Sequence, residues 1–240
     1  MRLIVDELRV ALPLIFHGDP YLLSTLWFTV QVAAISTAAA CAIGVPLGLA
    51  LGLGRFRGRR TLHWLANAGL AVPPVLVGLW LFLLLTPGSV LGGLGLLATR
   101  RVVFIAQAVL AVPYVVALTA AAIQGLGGGL LSQARALGAG RRQVSLLALR
   151  EARVGVIAAV IAALGATLSE VGAIIIVGGN VYGYNQTLAS GALYEAQAAR
   201  YADAVALGIV LSVLILVLLG TLGAVQHRGR GIRLRFRWTG

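Results

Sequence analysis

The sequence predicts an all-α membrane protein of about five transmembrane helices, and three observations carry that prediction. Of its 240 residues 60% are hydrophobic and only 11% are charged, a composition suited to a bilayer rather than to water. Five apolar, charge-poor runs each reach the roughly 18 residues a helix needs to cross the hydrocarbon core. The arginines crowd between those runs, where basic residues set topology.

Taken in order, residues 3–16 mix apolar side chains with Asp6, Glu7 and Arg9, the pattern of an amphipathic segment on the outer surface of the membrane, and residues 1–20 are assigned to it. No short apolar region leads into a small-residue cleavage site, so the first long run is expected to act as an uncleaved signal anchor. Gly18-Asp19-Pro20 breaks the amphipathic segment and starts the first membrane helix. The membrane domain covers residues 21–226, with spans at about 22–53, 64–86, 103–123, 154–177 and 204–225. The first is long enough to tilt or to extend past the membrane. Pro46, the Pro73-Pro74 pair and Pro113 fall inside spans, where a missing amide donor is expected to kink the helix. A basic tail, 227–240, follows the last span, and no duplicated half is evident.

All 19 basic residues are arginine, and with 7 acids they give a net charge of +12. In a soluble chain that balance would suggest nucleic acid; beside apolar spans it indicates topology and contact with lipid headgroups. Fourteen arginines fall in the loop after span one, the loop between spans three and four, and the tail, against five on the opposite side. The expectation is therefore an extracytoplasmic N-terminus and a cytoplasmic C-terminus.

Several chemistries are excluded. Without lysine the chain has neither a Walker A loop nor a Schiff-base amine, so it cannot hydrolyse ATP through a P-loop of its own. His17, His63 and His227 are isolated, no His-Glu-x-x-His pair offers a zinc site, and the single Cys41 gives neither a disulfide framework nor a soft-metal cluster. No Gly-x-Ser-x-Gly elbow is present. No catalytic residue, metal site or cofactor is assigned to this chain.

Among the acids only Glu170 lies deep in a span, within Leu168-Ser169-Glu170-Val171-Gly172. An intramembrane acid is costly and therefore a functional candidate; the alternative is that it bonds a backbone break or a facing helix to hold packing. Thr167 and Ser169 offer hydroxyl donors to a passing oxyanion, or bond back to their own helix. The glycine- and amide-rich stretch 177–185, with Gly178, Gly179 and Asn180, can expose backbone amides to an anion, or can simply end a helix. The candidate translocation path is thus Thr167, Ser169, Glu170, Gly172, Gly178, Gly179 and Asn180.

The loop 130–150 holds Ala134, Arg135, Leu137, Gly138, Ala139, Arg141 and Arg142. Alanine and leucine favour helix on both sides of Gly138, which marks a break between two short cytoplasmic helices. Such an element is either a docking piece for a partner or a solvated basic linker.

At this loop the chain resembles the cytoplasmic signature of ABC importer permeases, Glu-Ala-Ala-x-x-x-Gly followed by Ile-x-Leu-Pro. Gly138 holds the glycine and Ala134 the second alanine, while Ser132 and Gln133 replace the first two residues and 148–151 replaces the closing motif. Over a longer stretch, from Gly18 to about Leu222, it is similar to the tungstate-type permeases. The similarity runs through Val72-Pro73-Pro74-Val75, Leu94-Gly95-Leu96-Leu97, Ala106-Gln107, Arg150-Glu151-Ala152-Arg153, and above all Ser169-Glu170-Val171-Gly172 with Gly178-Gly179-Asn180. One departure is 184–187, where a Thr-Arg pair is expected and Tyr184-Asn185-Gln186-Thr187 stands.

The resemblance implies the MetI-like fold of type I importers in a bacterial inner membrane. It implies a second copy of this chain as partner, a cytoplasmic ATPase dimer that binds ATP and Mg, and an extracytoplasmic solute-binding protein, with loop 130–150 coupling ATPase to spans. The cargo implied is tungstate, or the similar molybdate. A secondary carrier would show more intramembrane ionisable groups and an inverted repeat, and an intramembrane enzyme a second catalytic group at membrane depth; a non-transporting scaffold is the remaining alternative.

Overall fold

The computed structural model describes residues 2–228. The predicted tail therefore lies outside the described residues from position 229 onward. Every regular element among the described residues is helical. α1 (Arg2–Phe16) ends where Gly18 turns through the left-handed region at φ 69. The Asp19 carboxylate then accepts from Leu22 N at 3.0 Å and Pro20 occupies the first helical position, a cap and a residue with no amide to lose. α1 packs through Ala11 and Leu14 on Ala206 and Leu207 of the last helix.

α2 (Pro20–Leu53) has 34 residues, about 51 Å at 1.5 Å each, so it projects well past the ~30 Å hydrocarbon core. It runs beside α5 (Arg100–Gln124), the central helix of the bundle. Gly44, Gly48 and Gly52 sit one turn apart and face Val115, Thr119 and Ile123 of α5; a Cβ on any of the three would come within 2.7 Å of the facing side chain. Lipid offers no hydrophobic force to bring helices together, and small residues that let backbones approach supply the packing instead. Because both numberings rise together, the two helices are parallel, as first and third spans must be. Ser36 Oγ extends the contact by donating to Phe104 O at 3.0 Å.

The second span differs from its prediction. In place of one kinked helix over 64–86 there are two, α3 (Arg59–Ala71) and α4 (Pro74–Leu85), meeting at 104°. Pro73 and Pro74 both lack amide donors and both disfavour helix in the residue before them, so the pair breaks the span, whereas the single Pro46 and Pro113 remain inside α2 and α5. The α2–α3 connection is closed by Arg59, whose Nε donates to Leu51 O at 2.7 Å and satisfies a carbonyl the helix end leaves free.

The fourth span is also divided. α7 (Arg141–Glu151) bends by 68° into α8 (Arg153–Ser169), which stops before Glu170; α9 (Gly172–Gly178) resumes after it. α6 (Gly128–Ala136) precedes α7, and α10 (Leu188–Gln197), absent from the sequence reading, precedes α11 (Tyr201–Arg228). α8 runs antiparallel to α5, with Ala122 against Gly155, and α11 antiparallel to α8, with Gln226 Nε2 donating to Val154 O at 3.3 Å. Among the described residues three helices are long and apolar enough to cross a membrane, or up to five crossings if each bent pair counts as one. One end of the bundle gathers Arg55–Arg60, Arg135–Arg153 and the end of α11; the other gathers Tyr21, Arg100 and the 179–200 segment.

Candidate translocation path and coupling elbow

The two broken spans meet. Gly78 of α4 lies so close to α9 that a Cβ there would be 2.7 Å from Ala173 Cα, and one on Gly172 would be 2.5 Å from Val75. Beside this contact is a cavity of about 250 Å³, lined by the α3–α4 break from Leu70 to Pro74, by Leu110 and Tyr114 of α5, and by Ser169 and Glu170. Irregular backbone at membrane depth is tolerated where it is buried in protein or lines a cavity, and both breaks satisfy that condition.

Glu170 is half-buried, and its Oε1 accepts from Ala173 N at 2.9 Å. It caps the first turn of α9 and so holds the break, while bordering the cavity. Ser169 donates to Gly165 O at 2.9 Å, and Thr167, 4% exposed, donates to Leu164 O at 2.9 Å. Both hydroxyls are thus engaged by their own helix. Gly178, Gly179 and Asn180 stand at the opposite end of α9, seven residues and about 10 Å away, so the structure splits the predicted path residues into two groups.

At that second group Gly179 (φ 75) and Asn180 (φ 47) take left-handed conformations that end the helix. Asn185, fully buried, pins the turn: its Oδ1 accepts from Val181 N at 2.7 Å and its Nδ2 donates to Gly178 O and to Ala98 O. The amide at 185 therefore has a structural task in the stretch where an arginine was expected. A basic group is nevertheless present beside it, since Arg100 Nε donates to Tyr184 O at 2.6 Å with its guanidinium between the Phe28 and Tyr184 rings, 5.2 and 5.1 Å from their centroids.

The sequence reading missed a further polar cluster at this end. Glu195, 1% exposed, pairs with Arg200, whose guanidinium lies over the rings of Tyr182 and Tyr194. The hydrogen bond to Glu195 raises the Arg200 guanidinium above its ordinary value. Tyr21 donates to Gln186 Oε1 at 2.8 Å and stacks on Tyr182. The available signal was a lone glutamate closing an apolar turn with an arginine five residues on.

At the other end, α6 and α7 form an elbow. Gly138 (φ 86) follows α6, with its N–H donating to Arg135 O and the next, Ala139 N–H, to Ala134 O, both at 3.0 Å. That is the paired bonding of a glycine-terminated helix. Gly140 N donates to Gln143 Oε1 at 2.8 Å and starts α7. Leu137 is 89% exposed at the tip, and Arg135, Arg141 and Arg142 flank it on the exposed surface, with Ala134 and Ala139 half-buried. α7 is fixed to the bundle by Ala148 and Ala152, which pack on Ile123 of α5.

Glu170 yields a direct prediction. Glu170→Ala removes the cap on Ala173 N and should cost about 1 kcal/mol, a fall of roughly 2–4 °C in Tm for a chain of this size. Glu170→Gln keeps an acceptor oxygen and should unfold within about 1 °C of wild type on the same scale. Equal losses in the two variants, measured by thermal unfolding in detergent, would show that the charge rather than the cap is what matters.

Comparisons with known proteins agree with this architecture. The chain is 33% identical to a tungstate uptake system permease protein TupB of Peptoclostridium acidaminophilum, over 88% of this chain and 92% of the relative. It is 33% identical to a probable anion ABC transporter permease protein of Haloferax volcanii, over 82% and 87%. Among solved structures a chain of the MetNI methionine ABC transporter, in an inward-facing conformation, superimposes with a TM-score of 0.68 at 20% identity, over 91% of this chain and 97% of that one, which shows the fold. Residues 44–230 match the family described as binding-protein-dependent transport system inner membrane component, and the chain belongs to that family.

Proposed function

We propose that two copies of this chain form the path by which a small tetrahedral oxyanion, tungstate first and molybdate as its near equivalent, enters a bacterial cell across the inner membrane. The observation that carries the reading is the 33% identity to a tungstate permease across nearly the whole of both chains. One five-span unit without an internal repeat needs a second copy to enclose a path, and a closed two-fold pair is the common solution. The end bearing Arg55–Arg60 and Arg135–Arg153 is cytoplasmic in this reading, since basic loops are retained there.

The energy comes from ATP and Mg on separate ATPase subunits, and an extracytoplasmic binding protein supplies the anion. The elbow at Gly138 receives the ATPase. A push on it passes through α7, rigid because Ala148 and Ala152 are buried, around the 68° bend into α8, and along α8 to the Ser169–Glu170 break and its cavity. The two broken spans packed at glycines are the element we assign as the gate, and alternating access requires it to have two discrete arrangements.

The test is isolation of the chain from native membranes followed by uptake measurements. An ATP-binding subunit should co-purify, and vesicles containing both, with the binding protein outside, should accumulate radiolabelled tungstate or molybdate only when ATP is inside. Absence of the ATPase, or uptake driven by an ion gradient without ATP, sinks the proposal.

A further inference from the structure

Where α2 ends beside the elbow, the two enclose an open cleft of about 780 Å³, within the range of small-molecule sites. Its wall has two chemistries. Pro46, Leu49, Ala50 and Leu53 of α2 form an apolar floor. Arg55, just past α2, Arg135, in the last turn of α6, and Arg141, at the start of α7, converge on it from three separate segments. Among the described residues no acidic side chain lines the cleft, and none of the three guanidinium groups is engaged in a hydrogen bond or ion pair.

Three unneutralised arginines around one cleft repel one another and call for an anion. The floor says what else the ligand carries. Ile35, Ile43 and Leu47 are 52%, 52% and 49% exposed, so an open apolar face of α2, repeating every one or two turns, leads straight down to Pro46–Leu53. A free oxyanion has no use for such a surface, whereas an acyl chain does. Basic pockets between membrane helices are suited to anionic lipid headgroups.

We propose that this cleft binds the headgroup phosphate of an anionic phospholipid, its phosphate on Arg55, Arg135 and Arg141 and an acyl chain along the exposed face of α2. The lipid ties the end of α2 to the α6–α7 elbow, two segments that otherwise touch little, and so becomes part of the seat of the elbow. The inference requires a chain embedded in a membrane and does not rest on which anion, if any, is transported.

The test uses the purified full chain in detergent, titrated separately with dioleoylphosphatidylglycerol, dioleoylphosphatidylcholine, sodium phosphate and sodium tungstate, with occupancy read by native mass spectrometry and by thermal shift. Phosphatidylglycerol should bind saturably and at least about tenfold more tightly than phosphatidylcholine, since both carry the phosphodiester but the choline cation cancels its charge and is repelled by the three arginines. Arg55→Gln/Arg135→Gln/Arg141→Gln should weaken it on the order of a hundredfold, each arginine near a membrane surface being worth about fivefold in affinity. Arg57→Gln/Arg60→Gln, which removes charge outside the cleft, should leave it within about threefold of wild type. If the triple variant does not purify, Arg55→Gln alone, outside any helix, should still show about a fivefold loss. Equal binding of the two lipids, or equal losses in the cleft and control variants, overturns the proposal. So does phosphate or tungstate binding as tightly as phosphatidylglycerol, which would assign the arginines to a free anion.

Discussion

Replacing Gly48 by leucine is expected to abolish recovery of folded protein. A Cβ at that position already falls 2.7 Å from Thr119 Cβ and 2.8 Å from Val116 O on the facing helix, and one of those atoms is backbone, which cannot swing away. Overpacking a well-filled core costs about 1–3 kcal/mol. Here the remaining three carbons have nowhere to go unless α2 and α5 separate along the whole 44/115, 48/119, 52/123 register, so the expected cost exceeds about 3 kcal/mol. Against a total stability of about 5–15 kcal/mol, that is enough to remove the monodisperse peak in fluorescence-detected size exclusion and to drop Tm by about 6 °C or more in what is recovered. Gly220→Leu on α11 is the control, because a side chain there meets nothing within 4 Å, and it should purify like the wild type. Normal recovery and melting of Gly48→Leu would mean that this glycine register is not the interface that holds first and third spans together.

That interface was written in the sequence and went unread. Glycines at 44, 48 and 52 form a small-residue repeat of four, a sign of close helix approach in lipid, but in a chain with 31 glycines the period is hard to separate from composition. The membrane character and the number of apolar runs were legible because hydropathy is a local sum. The breaks were less so. Hydropathy cannot distinguish one helix of 24 apolar residues from two short ones at an angle, and only backbone chemistry marks the division: a double proline at 73–74 and an acid at 170 that caps the helix after it. All three residues were noticed, yet the angle of 104° depends on what α3 packs against, notably Gly69 on Pro113, and that contact is tertiary. The elbow was easiest, since a glycine between two helix-favouring segments has a short-range explanation. For the Glu195–Arg200 pair the spacing of five was visible in the sequence, but the burial of Glu195 that gives the pair its weight is set by the fold.

Gly138→Val should disconnect the chain from its proposed ATPase while leaving the membrane bundle intact. Gly138 holds φ at 86, a conformation costing an L-residue about 1–2 kcal/mol and a β-branched one more. Nothing lies within 4 Å of where its Cβ would be, so the cost is entirely a matter of turn conformation and no neighbour is disturbed. The valine variant relieves its strain by opening the turn, which breaks the bonds from Gly138 N–H to Arg135 O and from Ala139 N–H to Ala134 O and moves the exposed Leu137 tip off its axis. The bundle does not depend on that tip, and thermal unfolding should stay within about 2–4 °C of wild type. In the proposed arrangement docking depends on that tip, so co-purifying ATPase should fall at least about tenfold, the equivalent of 1.4 kcal/mol, and ATP-driven uptake should fall with it. Gly138→Ala, with a smaller penalty in the same region of φ, should lie between the two. Undiminished co-purification and uptake in the valine variant would leave the elbow a solvated linker, and the ATPase would then have to grip the bundle elsewhere.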